Sequence, residues 1–233
     1  PVLVGPVTYL SLGKTEDNSD TVALLSNLLP VYEEILQKLN AAGAQWVQID
    51  EPYLAMDLSD AQRNAYTQAF DRLKVAAGST KLIVTTYFEG LRENVGLACG
   101  LPTNALHIDL RRAPDQLDSV LSAFPADKIL SLGVVDGRNI WRNDLSSSLS
   151  VLQKAVDALG SDRVMVAPSC SMLHSPVDLA QEVKMDEQIK NWMEFATQKV
   201  QEVSTLAKGI NDGKSAITDA LAHSDAVEDE RRT

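Results

Sequence analysis

The chain has 233 residues, a formal net charge of −11 and 23% charged residues. This length allows one large domain with a sizeable core. The acidic balance argues against nucleic acid or an anionic membrane surface as a partner, since both recruit lysine and arginine. No run of 18 apolar residues predicts a membrane span. Its two cysteines, Cys99 and Cys170, are too few for a disulfide framework, so we expect a protein of the reducing cytoplasm.

Six short apolar runs predict β-strands, and most lack the polar alternation of a half-exposed strand. Such runs are typical of parallel strands covered on both faces. Helical patterns separate most of them, which favours βα units with right-handed crossovers. The predicted strands are Val2–Val4, Trp46–Asp50, Leu82–Thr86, Ala105–Leu110, Ile129–Val134 and Val164–Ala167.

Most predicted helices lie between these strands, with Ser59 as one N-terminal cap and Gly160 as one C-terminal cap. They are a pattern from Leu24 to Leu39, then Ser59–Ala77, a short helix near Glu93, Asp115–Phe124 and Ser146–Leu159.

The longest helix is predicted after the last strand, from Asp178 to Lys208, with Gly209 at its end. Residues 211–233 are polar and predict a short helix with a solvated tail. We therefore expect a barrel domain over 1–208 and a polar tail or the start of an inter-domain linker over 209–233. The predicted buried face of the long helix is Met185, Ile189, Met193, Ala196, Val200, Val203 and Ala207.

The fold class is α/β, and the interpretation we favour is an incomplete (β/α)8 TIM-like barrel of about six βα units. A closed barrel of this type needs eight units, and an open six-stranded sheet would leave two long edges exposed. We therefore expect the first units to lie upstream of Pro1. The alternative is an open sheet.

Two adjacent carboxylates, Asp50 and Glu51, follow the second predicted strand directly. The carboxyl ends of parallel strands are where α/β folds place their ligand sites. Asp50 is therefore a candidate to accept hydrogen bonds from a ligand ammonium or hydroxyl group. In the alternative interpretation, one of the two acids caps the next turn or pairs with a nearby arginine.

A second polar loop begins with Asp136-Gly137-Arg138, after the fifth predicted strand. Gly137 permits a backbone turn that a side chain would obstruct. Arg138 is a candidate to bind a carboxylate through two parallel hydrogen bonds, or to pair with Asp50, Asp109 or Asp136.

Four residues, His107, Asp109, Cys170 and His174, are candidates for a metal site near strand ends. Only Cys170 and His174 are close in sequence, and they fall in an irregular loop, so histidines that bind no metal are the favoured interpretation. Cys99 stands among small residues and is expected to be a buried, small apolar side chain.

Gly13-Lys14-Thr15 invites comparison with a phosphate-binding loop after the first strand. That signature needs a glycine five residues before Gly13, where this chain has Thr8, and the acidic stretch Glu16-Asp17-Asn18 follows. We predict an ordinary solvent-exposed turn.

Six motifs occur along the chain in a fixed order: Val4-Gly5-Pro6-Val7-Thr8, Val47-Gln48-Ile49-Asp50-Glu51-Pro52, Thr86-Tyr87-Phe88-Glu89-Gly90, His107-Ile108-Asp109-Leu110, Gly137-Arg138-Asn139-Ile140-Trp141-Arg142 and Ser169-Cys170-Ser171-Met172-Leu173-His174-Ser175-Pro176. From the first residue to about Lys208, this order resembles the amino-terminal half of the cobalamin-independent methionine synthase family.

The resemblance implies a methyltransferase built from two face-to-face (β/α)8 barrels in one polypeptide. The family transfers a methyl group from 5-methyltetrahydrofolate polyglutamate to homocysteine, giving methionine. Its zinc ion lowers the pKa of the homocysteine thiol, so that a thiolate attacks. The implied partners of this segment are the carboxy-terminal catalytic barrel and, in the full-length enzyme, both substrates.

In that family the zinc ligands, one histidine, two cysteines and a glutamate, belong to the carboxy-terminal barrel. Here the loop that would echo the His/Cys pair reads Thr85-Thr86-Tyr87-Phe88, and Cys170 stands without partners in a loop resembling one that carries a zinc cysteine. The resemblance thus implies no catalytic residue and no metal ligand in this chain. Asp50 and Glu51 become vestigial substrate-binding residues that hold the strand ends together through arginine pairs.

We therefore expect a segment that supports the catalytic barrel and that, alone, binds no stoichiometric zinc and transfers no methyl group. Two alternatives remain open. One is a non-catalytic scaffold or interaction module, and the other is a different TIM-barrel enzyme with acid–base carboxylates, such as a decarboxylase of similar fold.

Overall fold

The computed structural model describes residues 1–16 and 19–232 of the chain. Six strands lie in one parallel sheet in sequential order, and helices alternate with them, which confirms the predicted α/β class with six βα units. The strands are β1 (Val2–Val4), β2 (Trp46–Asp50), β3 (Lys81–Thr85), β4 (Ala105–Asp109), β5 (Ile129–Val135) and β6 (Val164–Pro168).

Every predicted strand is confirmed to within one residue at either end. The prediction succeeds because apolar side chains on one face of the central strands are completely buried, including Val47, Ile49, Leu82 and Val84. Successive side chains along a strand point to opposite faces. Residues at the intervening positions, such as Gln48, are therefore on the other face, where several remain half-buried.

The helices between the strands also follow the sequence pattern. Ser59 caps its helix as predicted and forms a capping box with Gln62, while Gly160 ends another helix with φ of 87°. The helices are α1 (Pro6–Leu12), α2 (Leu25–Ala41), α3 (Asp60–Ala77), α4 (Val95–Gly100), α5 (Gln116–Ala123), α6 (Leu145–Leu159), α7 (Glu187–Asn191), α8 (Ala196–Asp212) and α9 (Thr218–Arg232).

The single long helix predicted from Asp178 to Lys208 is wrong, because the segment is broken into shorter elements. Asp178 and Asp186 each accept hydrogen bonds from backbone N–H groups two or three residues later, and so start new turns instead of continuing one helix. Met193 then forms an antiparallel bridge with Trp141. Only the last part, α8, is a long helix.

The predicted buried face of that helix is also wrong in part. Val200 is 58% exposed and Ile189 is 42% exposed. The buried face of α8 is instead formed by Lys199, Glu202, Leu206 and Gly209, and the helix continues past Gly209 to Asp212. Met193 does lie in a small apolar cluster with Leu179 and Phe195.

The helix predicted within residues 211–233 is present as α9, and it extends over most of the described part of this segment, where a solvated tail was expected. Leu221, Ser224 and Val227 are buried on one face of this helix. The hydroxyl of Ser224 accepts a hydrogen bond from the backbone N–H of Leu145, at the start of α6. The polar composition of the segment concealed this narrow buried face. The domain boundary between residues 208 and 209 remains a prediction.

The chain divides into two compact units. The first comprises Pro1–Ile108 and Asp115–Ile129, and the second comprises Asp109–Pro114 and the described residues from Leu130 onwards. In the described part of the chain, no helix combines the length and apolar character needed to cross a membrane.

Gly13 ends helix α1, so the Gly13-Lys14-Thr15 sequence follows a helix and not a strand as the phosphate-loop comparison assumed. Asp17 and Asn18, which belong to the turn predicted there, lie outside the described residues.

Candidate functional site

Glu51, one of the two predicted site acids, is completely buried and caps a helix. Its carboxylate accepts hydrogen bonds from the backbone N–H groups of Val7, at 3.1 Å, and Thr8, at 2.8 Å. These are free N–H groups in the first turn of α1, which no residue within that helix can satisfy. The hydroxyl of Tyr66 donates a further hydrogen bond at 3.2 Å. Burial raises the pKa of Glu51 to about 7, although these hydrogen bonds oppose the shift.

The fit around Glu51 leaves no room for a side chain at Gly5. A Cβ atom on Gly5 would lie 2.1 Å from the carboxyl carbon of Glu51, far closer than atoms can approach. The predicted arginine pairing of this acid is wrong, since its partners are amides and hydroxyl groups. The alternative interpretation, that one acid caps the next turn, is also wrong for Glu51. Its side chain makes no cap hydrogen bond to the turn Pro52–Ala55 that follows it, and caps α1 instead.

Asp50 occupies a different environment although it is the preceding residue. It is half-buried, and its two oxygens accept hydrogen bonds from Gln48 Nε2, at 2.7 Å, and from the hydroxyl of Tyr87, at 3.1 Å. Burial raises the pKa of Asp50, and the two hydrogen bonds lower it by less. The predicted arginine pairing is therefore wrong for Asp50 too, because its hydrogen-bond partners are Gln48 and Tyr87.

Strand register places Asp50 in a polar row across three strands. Asp50 on β2 is opposite Thr85 on β3, and Thr85 is opposite His107 on β4. Register partners in parallel strands point to the same face of the sheet, and neighbouring strands are about 4.8 Å apart. We call Asp50, Thr85 and His107 the Asp50 row. Thr85 and His107 are both 4% exposed.

The loop after β3 brings Tyr87 to this row. The Tyr87 and Phe88 rings contact edge to face, with 4.5 Å between their centroids. Phe88 has a φ of 78°, the left-handed conformation that side chains other than glycine rarely adopt.

In the second unit, hydrogen bonds within the loop after β5 fix its conformation. Asp136 accepts hydrogen bonds from the backbone N–H of Arg138, at 2.8 Å, and from Asn139 Nδ2, at 3.0 Å. A Cβ atom on Gly137 would lie 2.9 Å from the carbonyl oxygen of Cys170. This confirms that a side chain at Gly137 would obstruct the turn. The Arg138 side chain is exposed.

A buried charged cluster on α8 was missed by the sequence prediction. Lys199 is completely buried and donates hydrogen bonds to Asn139 Oδ1, at 3.0 Å, and to the carbonyl oxygen of Trp141, at 2.8 Å. Glu202, three residues later on the helix, accepts one from the backbone N–H of Asn143 at 2.7 Å. Together these contacts attach the loop after β5 to α8.

An ion pair also joins the segment after β5 to the residues before α8, since Arg142 Nη1 lies 2.5 Å from Glu194 Oε1. Burial raises the pKa values of Glu194 and Glu202 and lowers that of Lys199. The signal for this cluster was present in the sequence as the helical spacing of Lys199, Glu202 and Leu206. It was concealed because apolar periodicity selects a neighbouring face of the helix, and lysine and glutamate are rarely buried.

The residues predicted as possible metal ligands have other surroundings. Asp109 accepts hydrogen bonds from the backbone N–H groups of Arg111 and Arg112, both at 2.9 Å. Cys170 is buried, and burial raises the pKa of its thiol. Across residues 1–16 and 19–232, no group of three or more His, Cys, Asp and Glu side chains is arranged to hold a metal ion. The donor set that a zinc site needs therefore does not fit the described residues.

Comparison with known proteins identifies relatives along the whole chain. A family profile described as the N-terminal domain of cobalamin-independent synthase matches residues 1–160. The 5-methyltetrahydropteroyltriglutamate–homocysteine methyltransferase of Nitrobacter winogradskyi is 50% identical over 229 residues, which are 97% of this chain and 30% of that protein. The one from Coxiella burnetii is 47% identical over 100% of this chain and 30% of its own length. The chain thus spans about 30% of the length of these curated relatives.

A solved structure shares the fold at low sequence identity. The B12-independent methionine synthase from Shewanella sp. W3-18-1, in complex with selenomethionine, has a TM-score of 0.58 and 14% identity, and the match covers 93% of this chain and 62% of that one. At this identity the likeness concerns the fold alone, which is TIM-barrel-like.

Proposed function

We propose a function from one established premise: the chain belongs to the cobalamin-independent synthase family, in the part described as its N-terminal domain. We infer that it is a segment of a 5-methyltetrahydropteroyltriglutamate–homocysteine methyltransferase, the enzyme name that its relatives carry. That enzyme transfers a methyl group from 5-methyltetrahydrofolate polyglutamate to homocysteine and gives methionine. The segment supports the carboxy-terminal catalytic barrel of the same polypeptide, in the cytoplasm, and is not itself catalytic.

The observation that carries this proposal is how the buried ionisable groups of the described residues are used. Glu51 binds the N-terminal N–H groups of α1, and Lys199 binds the loop after β5. Lys128 donates hydrogen bonds to the carbonyl oxygens of Cys99 and Leu101 at the end of α4. A group that stabilises its own backbone in this way is already committed to the fold and contributes stability in place of chemistry.

Zinc belongs to the other barrel in this proposal. When bound there, it makes homocysteine a better nucleophile by favouring its thiolate form. The described residues of this chain offer no ligand set for zinc. In this proposal the chain supports the catalytic barrel through residues 1–208, and residues 209–233 are a polar tail or the start of the inter-domain linker.

A chimeric enzyme tests the proposal. In the Nitrobacter winogradskyi methyltransferase, the matching 229-residue segment is replaced by this chain. We expect the chimera to bind zinc and to transfer methyl groups to homocysteine at a rate comparable with that of the parent enzyme. A folded, zinc-loaded chimera without activity would contradict the proposed function.

A deletion variant of the same relative tests whether the catalytic barrel needs this segment for methyl transfer. Removing the segment should abolish methyl transfer, because the catalytic barrel then loses the wall against which it packs. If the remainder is soluble and fully active, the segment is an accessory scaffold or interaction module.

A further inference from the structure

The Asp50 row has hydrogen-bonding capacity that the first unit does not use. The hydroxyl of Thr85 is buried, and its oxygen has no hydrogen-bond partner. Leaving a buried hydroxyl in this state is unfavourable, and native proteins rarely do so without a bound molecule or a functional reason. Thr85 lies between Asp50 and His107 on the same face of the sheet.

Asp50 can also accept further hydrogen bonds. A carboxylate has about four acceptor positions, and the partners of Asp50 are Gln48 and Tyr87, one on each oxygen. A further partner must therefore donate, and an ammonium group does so with the opposite charge.

We propose that the Asp50 row binds a small primary amine that carries a hydroxyl group on the neighbouring carbon. The ammonium group donates to the carboxylate of Asp50. The hydroxyl group of the ligand exchanges hydrogen bonds with the hydroxyl of Thr85, which can both donate and accept. Neighbouring positions in the row are about 4.8 Å apart, a separation that a two-headed ligand of this size can bridge.

The donor set favours an organic cation over a metal ion. Calcium needs six to eight oxygen ligands and magnesium an octahedral shell, whereas the oxygen ligands of this row are one carboxylate and one hydroxyl. An anion is disfavoured because it would lie next to the charge of Asp50. An amino alcohol matches both the charge and the hydroxyl without requiring further ligands.

Calorimetric titration of the chain with ethanolamine tests the proposal. We expect saturable binding with a Kd of about 1 mM, since a ligand of so few atoms rarely binds much more tightly. Ethylene glycol, which lacks the ammonium group, and sodium chloride at matched ionic strength serve as control ligands and should not saturate the site. If ethanolamine shows no saturable binding, or binds no better than ethylene glycol, the proposal is wrong.

Three variants locate the binding at the row. Asp50→Asn keeps the shape of the side chain and should weaken binding about tenfold or more, because it removes the charged partner. Thr85→Val removes only the hydroxyl and should weaken binding severalfold. Thr86→Val is the matched control, because the Thr86 hydroxyl is equally buried and without a partner, but strand alternation places it off the row.

The pattern across the variants decides the outcome. Each variant is first compared with the original chain by circular dichroism and thermal unfolding, so that binding is measured on folded protein. Weaker binding in Asp50→Asn and Thr85→Val, with unchanged binding in Thr86→Val, supports the site. Equal affinity in Asp50→Asn, or an equal loss in Thr86→Val, overturns it.

Discussion

Two neighbouring acids, Asp50 and Glu51, have opposite environments because a strand alternates its faces. Asp50 is half-buried and available for further hydrogen bonds, whereas Glu51 is completely buried and committed to the first turn of α1. The sequence identified the pair as notable. It could not assign the cap to Glu51, because the N–H groups that it binds lie 43 and 44 residues earlier in the chain.

Substitution of Glu51 tests its role as a cap. Glu51→Gln retains one oxygen but presents an NH2 group to a backbone N–H, so one buried donor loses its acceptor. We expect the free energy of unfolding at pH 8 to fall by about 1–3 kcal/mol in urea denaturation. Asp50→Asn is the control and should have a smaller effect, because the Tyr87 hydroxyl can rotate to accept from the new amide. Equal effects of the two substitutions would contradict this assignment.

The same residue predicts a pH dependence of stability. Burial raises the pKa of Glu51 to about 7 in the folded chain, from an ordinary value of 4.5. Between these pH values the folded state holds a proton that the unfolded state has released. The stabilisation from this proton is therefore fully present below pH 4.5 and is lost as the pH rises through 7.

Urea denaturation of the original chain and of Glu51→Gln, at intervals from pH 4.5 to pH 8, measures this effect. The variant lacks the titrating group, so the difference in unfolding free energy between the two proteins should shrink as the pH rises. A difference that is constant, or that grows with pH, would show that burial does not control the pKa of Glu51.

At the scale of elements, buried charged side chains form hydrogen bonds with backbone groups at the ends of helices that are distant in sequence. Glu51 does so at the N-terminus of α1, and Lys128 does so at the C-terminus of α4, where carbonyl groups lack partners within the helix. The signs suit the helix dipole, with a carboxylate at the positive end and an ammonium group at the negative end. Short helices of this kind depend on such outside partners.

Removal of the Lys128 ammonium group should loosen α4. Lys128→Met retains the length of the side chain but leaves the carbonyl groups of Cys99 and Leu101 without this donor. We expect the free energy of unfolding to fall by about 1–3 kcal/mol, with faster hydrogen exchange in Val95–Gly100 than in the original chain. Lys74→Met is the matched control, since Lys74 is half-buried and has only a 3.4 Å contact with Asn104. Unchanged exchange in α4 would contradict this role.

The elements also show where sequence patterns succeed and fail. Strand β2 was predictable because Val47 and Ile49 belong to an apolar run that is buried in the sheet. The breaks in the predicted long helix could not be predicted in the same way. Asp178 and Asp186 cap new turns there, within a pattern that otherwise has helical periodicity. Helix α8 buries Lys199, a residue type that is almost always exposed, so apolar periodicity alone selects the wrong face.

At the scale of the whole molecule, the family and the six βα units could be recognised from ordered motifs, because each motif marks a strand end in this type of fold. The sequence identified Asp50 as a candidate to bind a ligand ammonium or hydroxyl group. It could not place Thr85 beside Asp50, because that depends on register across neighbouring strands, nor show that the Thr85 hydroxyl has no partner. Three buried ionisable residues, Glu51, Lys128 and Lys199, stabilise helix ends and a loop. This is why we propose support, and not catalysis, for the segment.

The zinc content of the purified chain tests this assignment most directly. The chain is loaded with excess zinc, dialysed extensively and analysed by mass spectrometry of the metal, with the full-length Nitrobacter winogradskyi methyltransferase as the positive control. We predict that the control retains zinc while the chain retains far less than one zinc ion per molecule and shows no methyl transfer to homocysteine. One tightly held zinc ion per chain, lost on substitution of Cys170→Ser, would contradict the account.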